Sequence, residues 1–275
     1  MDQNTARRSY SHSLSVQEVV MRLARHGEVN GVVMMGSGAV AMLNPTSDID
    51  LLVVLSGSPL EIKMVSTTIE GRLSEVYFVS TSELDRFLES PVQVHDYSEE
   101  AVRLRWIQTG QVLYDRSGRL EKLRAILAPG DWTTPPTDAE IYEAWFSTNF
   151  DLAQTRRLLG ATDSASLMKV DLQLLLLLHE LWERYYLVRR SPGLSVKARI
   201  RWMAANDPQV YALFQECLHE TGRARKFAAV EKLASRVLEA VGGLWPAEMT
   251  AVQLSPGADP ELAERQLDAW ESWLA

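Results

Sequence analysis

The chain has a single cysteine among 275 residues, Cys217. One thiol cannot close an intrachain disulfide, and it cannot seed a zinc site built on several thiolates. A reducing compartment is therefore expected. Long apolar runs are missing too. The most apolar stretch, Leu174–Leu178, is bracketed by Gln173 and His179, far short of the ~20 residues that span a bilayer. The opening residues, MDQNTARRSYSHSLS, are polar and hold no signal-peptide core. These absences predict a cytoplasmic protein with no membrane partner. A basic excess is also lacking. Lys and Arg number 28 against 36 Asp and Glu, giving a net charge of −8. The deficit is spread over both halves, with 13 cations to 16 acids in residues 1–130 and 15 to 20 in residues 131–275. Neither half reads as a nucleic-acid module. No repeat of fixed period is present.

Composition is otherwise that of a folded globular chain, 46% hydrophobic and 23% charged, and the length suggests two domains. Ser15 and Glu18 form a capping box before Val16, Val19, Val20 and Leu23 at helical spacing, which predicts a helix over 15–26. Gly31–Met35 reads as a short buried strand. Gly36-Ser37-Gly38 breaks it, Ala39–Leu43 suits a short helix, and Asn44-Pro45-Thr46-Ser47 is turn chemistry. Asp48–Leu55 reads as the next strand. The runs 61–69 and 72–79 flank Glu70-Gly71 as an antiparallel hairpin. Ser82 with Asp85, and Ser98 with Glu99 and Glu100, mark further helix starts. The segment 129–136, PGDWTTPP, reads as a linker.

Beyond it the pattern is wholly helical. Thr137 and Glu140 form a capping box. A helix over 164–189, apolar nearly all round at Leu174–Leu178, suits the centre of a bundle. Others are expected near 194–205, 208–220, 223–241 and 260–274, the last with Pro260 in its first turn. Trp145, Trp182, Trp202, Trp270 and Trp273 fall at stripe positions and are expected in the core. The fold class read from this pattern is an α/β mixed-sheet domain, residues 1–128, followed by an all-α helical bundle, residues 137–275.

One constellation carries chemistry. Gly36-Ser37 ends a strand, and ten residues later come Asp48 and Asp50 on the next. Positions i and i+2 of a strand share a face, so the two carboxylates lie together while Ile49 and Leu51 turn to apolar packing. Adjacent carboxylates want a cation between them. Mg²⁺ suits, because it takes oxygen ligands shared with substrate phosphates. Gly36 lets a phosphate approach the backbone, and Ser37 offers a hydroxyl and an N–H. Glu75, on the strand 72–79, is a third acid that shares the metals or takes a proton if its strand neighbours Asp48–Leu55.

These residues resemble the nucleotidyltransferase superfamily of the polymerase-β type. The segment SDIDLLVV, the GQVLYD stretch at 110–115 and the helical second half look like its aminoglycoside and lincosamide branch. The resemblance implies a mixed sheet flanked by helices, two Mg²⁺ ions, and transfer of a nucleoside monophosphate from ATP or another NTP with release of pyrophosphate. Asp48 and Asp50 are then metal ligands, and Glu75 is the third ligand or the general base. Gly36, Ser37 and Ser47 hold the nucleotide. In residues 184–201, six cations occur with no acid. Ser195-Val196-Lys197 resembles a Ser-Lys element of that branch, which puts Lys197 on the phosphates.

His179-Glu180-Leu181-Trp182-Glu183 lacks the second histidine of the zinc motif HExxH. Glu180 and Arg184 read as i,i+4 partners. Asp171 is a candidate to face the cleft. The expected partners are a nucleoside triphosphate and a small-molecule acceptor, cationic and aminoglycoside-like. Two alternatives stay open: AMP transfer to a protein in a toxin–antitoxin pair, or a non-catalytic nucleotide-binding module.

Overall fold

The computed structural model describes residues 14–36, 47–57, 62–90, 93–246 and 249–274. The chain forms two compact units, Met1–Thr134 and Pro135–Ala275. Ser37 and the short helix expected over 39–43 lie outside the described residues.

In the first unit, α1 (Val16–Ala24) leads to β1 (Val29–Met35), β2 (Ile49–Leu55), β3 (Met64–Ile69) and β4 (Arg72–Ser80). Then follow α2 (Thr81–Glu89), β5 (Val94–His95), α3 (Glu99–Thr109), β6 (Gln111–Asp115), α4 (Arg119–Leu127) and β7 (Thr133–Thr134). The main sheet runs β3-β4-β2-β1-β6 and is mixed, with β2 parallel to β4 and the other pairs antiparallel. β2 is central and covered on both faces. Its Leu52 and Val54 join Val33, Met35 and Val79 against α2, α3 and α4. Its Ile49, Leu51 and Val53 join Val32 and Val76 against the Val16, Val19, Val20 and Leu23 stripe of α1. The capping box of α1 is formed as read, with Ser15 and Glu18 exchanging bonds. So is the hairpin. Glu70 and Gly71 take φ of 53° and 73°, the two positive values that a tight right-twisting turn needs.

Some local readings shift. The helix expected from Ser82 starts earlier, because Ser80 is its N-cap and forms a capping box with Glu83. β3 begins at Met64. The Pro-rich stretch at 129–136 is not slack. Its Thr133–Thr134 pairs in parallel with Val94–His95, and Trp132 is buried under the Arg105 guanidinium.

The second unit comprises α5 (Asp138–Leu158), α6 (Ser164–Leu187), α7 (Val196–Asn206), α8 (Pro208–His219), α9 (Arg223–Leu238), a 3₁₀ turn (Glu239–Val241) and α10 (Leu262–Leu274). Thr137 and Glu140 form the expected capping box on α5. α6 packs between α5 and α9. Its Leu174, Leu177, Leu178, Leu181 and Tyr185 meet Val210, Phe214 and Cys217 of α8 and Val230, Leu233 and Val237 of α9. α6 is central as read, although Leu175 and Leu176 are exposed on the side away from the core. The tryptophan expectation holds only in part. Trp202, Trp270 and Trp273 are exposed, whereas Trp145 and Trp182 pack against the core. Nothing in α10 is buried. Among the described residues, no helix is long and apolar enough to cross a membrane.

Candidate functional site

The parallel ladder between β2 and β4 is in continuous register, and it sets Asp50 directly opposite Glu75. Neighbouring strands lie about 4.8 Å apart, so the two carboxylates leave the sheet side by side. Alternation gives them the same face. Asp50 precedes Leu52 and Val54, and Glu75 precedes Tyr77 and Val79, all turned toward the α2–α4 layer. Across the other edge of β2, Met35 opposes Asp50, and Gly36 comes next. Gly36 has φ +63°, and a Cβ there would lie 3.3 Å from Asp50 Oδ2. Bare backbone therefore abuts the carboxylate at the strand end. Asp48 sits one residue before β2, partly exposed, and Ser47 is buried with its carbonyl accepting from Arg72 Nη1 at 3.0 Å.

Tyr77 completes the cluster. Its hydroxyl donates to Glu75 Oε2 at 2.8 Å, and its ring lies 4.8 Å from that of Trp106 on α3. The bond to Glu75, then burial, then the charges of Glu75 and Asp50 push the phenol up to about 12. Asp50 thus acts electrostatically on Tyr77, so all three side chains form one local cluster. Sequence reading missed Tyr77. The signal was there in the period of two, since Glu75 and Tyr77 are i and i+2 on one strand.

Lys197 lies in the other unit. It is an exposed residue of the first turn of α7, whose N-cap is Ser195. Most of the basic segment around it has structural work. Arg184 donates to Thr148 and Ser147 and pairs with Glu180 at 3.0 Å. Arg189 bonds the carbonyls of Tyr185, Arg236 and Val237. Arg190 joins Pro136 and Asp138, and Arg199 joins Glu183. Asp171 is held by Arg223 through two bonds of 2.7 Å.

The helical unit has a cleft of its own, about 640 Å³, between the N-terminal half of α5, the C-terminal half of α6 and residues 254–258. Glu140, Glu143, Asp151, Glu180 and Glu183 line it against one arginine, Arg184. Burial, then Glu180, raises the Asp151 carboxyl above its ordinary range, and Arg184 opposes the rise. Burial also lowers the Arg184 guanidinium, against the pull of Glu180, Asp151 and Glu143. Surplus negative charge in a walled cleft favours a cationic ligand.

No protein-family model and no curated protein matches the chain. Among solved structures, it is similar to a nucleotidyltransferase-like protein from Exiguobacterium sibiricum 255-15. That match has 15% identity and a TM-score of 0.40, covering 94% of this chain and 88% of the other. It is also similar to spectinomycin adenyltransferase AAD(9) from Enterococcus faecialis, solved with ATP and spectinomycin. There the identity is 14% and the TM-score 0.26, over 78% of this chain and 87% of the other. At these identities and TM-scores the likeness is loose.

Proposed function

We propose that the chain is a nucleotidyltransferase that moves a nucleoside monophosphate, AMP from ATP in the first instance, to a hydroxyl of a cationic small-molecule acceptor. The observation that carries this reading is the in-register pair Asp50 and Glu75, with Tyr77 on one side and the bare Gly36 backbone on the other. The donor set is all oxygen, which suits Mg²⁺. Among the described residues, no three His, Cys, Asp or Glu side chains converge into a ready-made metal cage. Mg²⁺ does not need one. It is held by one or two carboxylates together with substrate phosphates and water. Asp48 and Asp50 would hold it with the triphosphate, and when bound it supplies charge neutralisation at the phosphates.

The chain's own residues supply the rest. Glu75 takes the proton from the acceptor hydroxyl. The acceptor oxygen forms a bond to the α-phosphorus as the bond from that phosphorus to the bridging oxygen breaks, and the electron pair leaves with pyrophosphate. Tyr77 holds Glu75 by one oxygen, which fixes its direction. Gly36, Ser37 and Ser47 border the triphosphate, and Lys197 is the cation assigned to its phosphates. The acid-lined cleft of the helical unit supports a cationic acceptor.

The test is a panel of aminoglycoside-like and other polyamine acceptors with labelled ATP and Mg²⁺, following pyrophosphate. Wild type should release pyrophosphate with at least one acceptor. Asp50→Asn, nearly isosteric, should lower turnover by a factor on the order of 10³ with an unchanged circular-dichroism spectrum. A wild-type chain that neither binds Mg²⁺–ATP by calorimetry nor releases pyrophosphate would sink the reading.

A further inference from the structure

Two apolar surfaces in the helical unit have no cover. On α6, Met168, Leu172, Leu175 and Leu176 keep 51–64% of their surface exposed. Their spacing of four, seven and eight residues places them on one stripe, opposite the side that holds Leu174, Leu177 and Leu181. On α10, Leu267, Trp270, Trp273 and Leu274 form a second stripe, with Trp273 77% exposed and no residue of the helix buried. A helix of 13 residues is marginal in water without a surface to pack on. Each stripe has what the other lacks.

The charges around them match. α10 carries Glu264, Asp268 and Glu271 against Arg265. The α6 stripe is flanked by Lys169, and on its other side by Arg223, which is bonded to Asp171, with Lys226 close enough to act on that same carboxylate. The stripes match in length as well, about 10 Å from Leu267 to Leu274 and about 12 Å from Met168 to Leu176.

The chain's own α10 is led elsewhere. The segment before it is tied along α5. Trp145 Nε1 donates to the Gly243 carbonyl, the Trp245 N–H to Asn149, and the Tyr142 hydroxyl to the Val252 carbonyl. Residues 254–258 then wall the cleft beside the C-terminal half of α6. As placed, the chain's own α10 covers neither stripe: Met168, Leu172, Leu175 and Leu176 stay exposed, and no residue of α10 is buried.

From the two unpartnered stripes we infer that α10 docks on the Met168–Leu176 stripe of a second copy, reciprocally, making a two-fold homodimer. Trp270 and Trp273 keep 46% and 77% of their surface exposed, together roughly 300 Å² left to bury. With the leucines, and with the contact made twice, the total reaches the roughly 1,200–2,000 Å² of a stable interface. Both copies are satisfied by the one self-complementary arrangement, as closed symmetry requires.

The experiment is light scattering and sedimentation on the full chain across 1–50 µM, a range chosen to bracket about micromolar affinity. Wild type is expected at twice the chain mass. Trp270→Ala with Trp273→Ala, and separately Leu172→Glu with Leu176→Glu, should each shift the chain to monomer, weakening association at least tenfold. All four positions are exposed, so melting of the monomer should be unchanged. The deciding step is mixing. The tryptophan variant keeps an intact stripe and the leucine variant an intact α10, so together they should form a heterodimer with one good contact. A monomeric wild type, a dimer that survives both variants, or no rescue on mixing overturns the proposal. So does a monomer whose α10 binds vesicles of mixed neutral and anionic phospholipid.

Discussion

At the residue scale the candidate site depends on two features that do not touch substrate in the proposed reaction by charge. Tyr77 is the first. Its hydroxyl holds one oxygen of Glu75 and gains nothing from ionising, since its proton is retained to about pH 12. Tyr77→Phe removes that tether and leaves the ring against Trp106. Turnover should fall about tenfold, the worth of one hydrogen bond to a charged group, while the KM for the nucleotide stays within about twofold. Steady-state kinetics with ATP varied would show the split; an equal rise in KM would move Tyr77 to nucleotide binding. Gly36 is the second. Its φ of +63° is costly for any residue with a Cβ, and that Cβ would meet Asp50 Oδ2 at 3.3 Å. Gly36→Ala should cost about 1–2 kcal/mol of stability by urea titration, and should slow turnover by displacing Asp50.

At the element scale, much of the first unit was legible because its signals are local. Ser15 with Glu18 and Glu70-Gly71 each specify their own geometry within four residues, and the structure keeps both. The start of α2 was misplaced by two residues, although Ser80 with Glu83 three residues on is itself the capping-box pattern that the structure forms. The order of the sheet was not legible at all. Whether Glu75 neighbours Asp50 depends on β4 returning parallel to β2, a long-range pairing that no short pattern announces. The tryptophans of α10 misled for a related reason, since an apolar stripe says that a helix will be covered and not by what. Arg116 is a long-range tie of this kind. From the end of β6 it donates to the carbonyls of Ala24, His26 and Gly27, closing the C-terminal end of α1. Carbonyls at a helix end have no partner within the helix. Arg116→Ala should cost about 1–3 kcal/mol, and hydrogen exchange should rise in α1 before it rises in the sheet.

At the scale of the whole molecule, the charge of −8 is unevenly spent, and the cleft of the helical unit is one place where it costs stability. Burial and Glu180 raise the Asp151 carboxyl, so the folded state holds that proton more tightly than the unfolded chain. The stability this confers is complete below the ordinary carboxylate range and is lost as pH rises through the raised value. At neutral pH the ionised group opposes folding. Asp151→Asn should therefore raise the melting temperature at pH 7 by about 1–3 °C, and the gain should shrink to nothing as pH falls below about 4. A gain that grows in acid would reverse the sign and refute the account. The division of the chain into separate hydrophobic cores has a further consequence. The carboxylate pair hangs on two neighbouring strands sealed on their two faces by two sets of apolar side chains, while the acid cleft is walled by helices packed on a third. A substitution that reshapes the cleft leaves the packing under Asp50 and Glu75 untouched. Under the proposed reaction, inheritance can thus exchange one guest of the acid cleft for another without disturbing the strands that carry Asp50 and Glu75, and the helical half is where such change would accumulate.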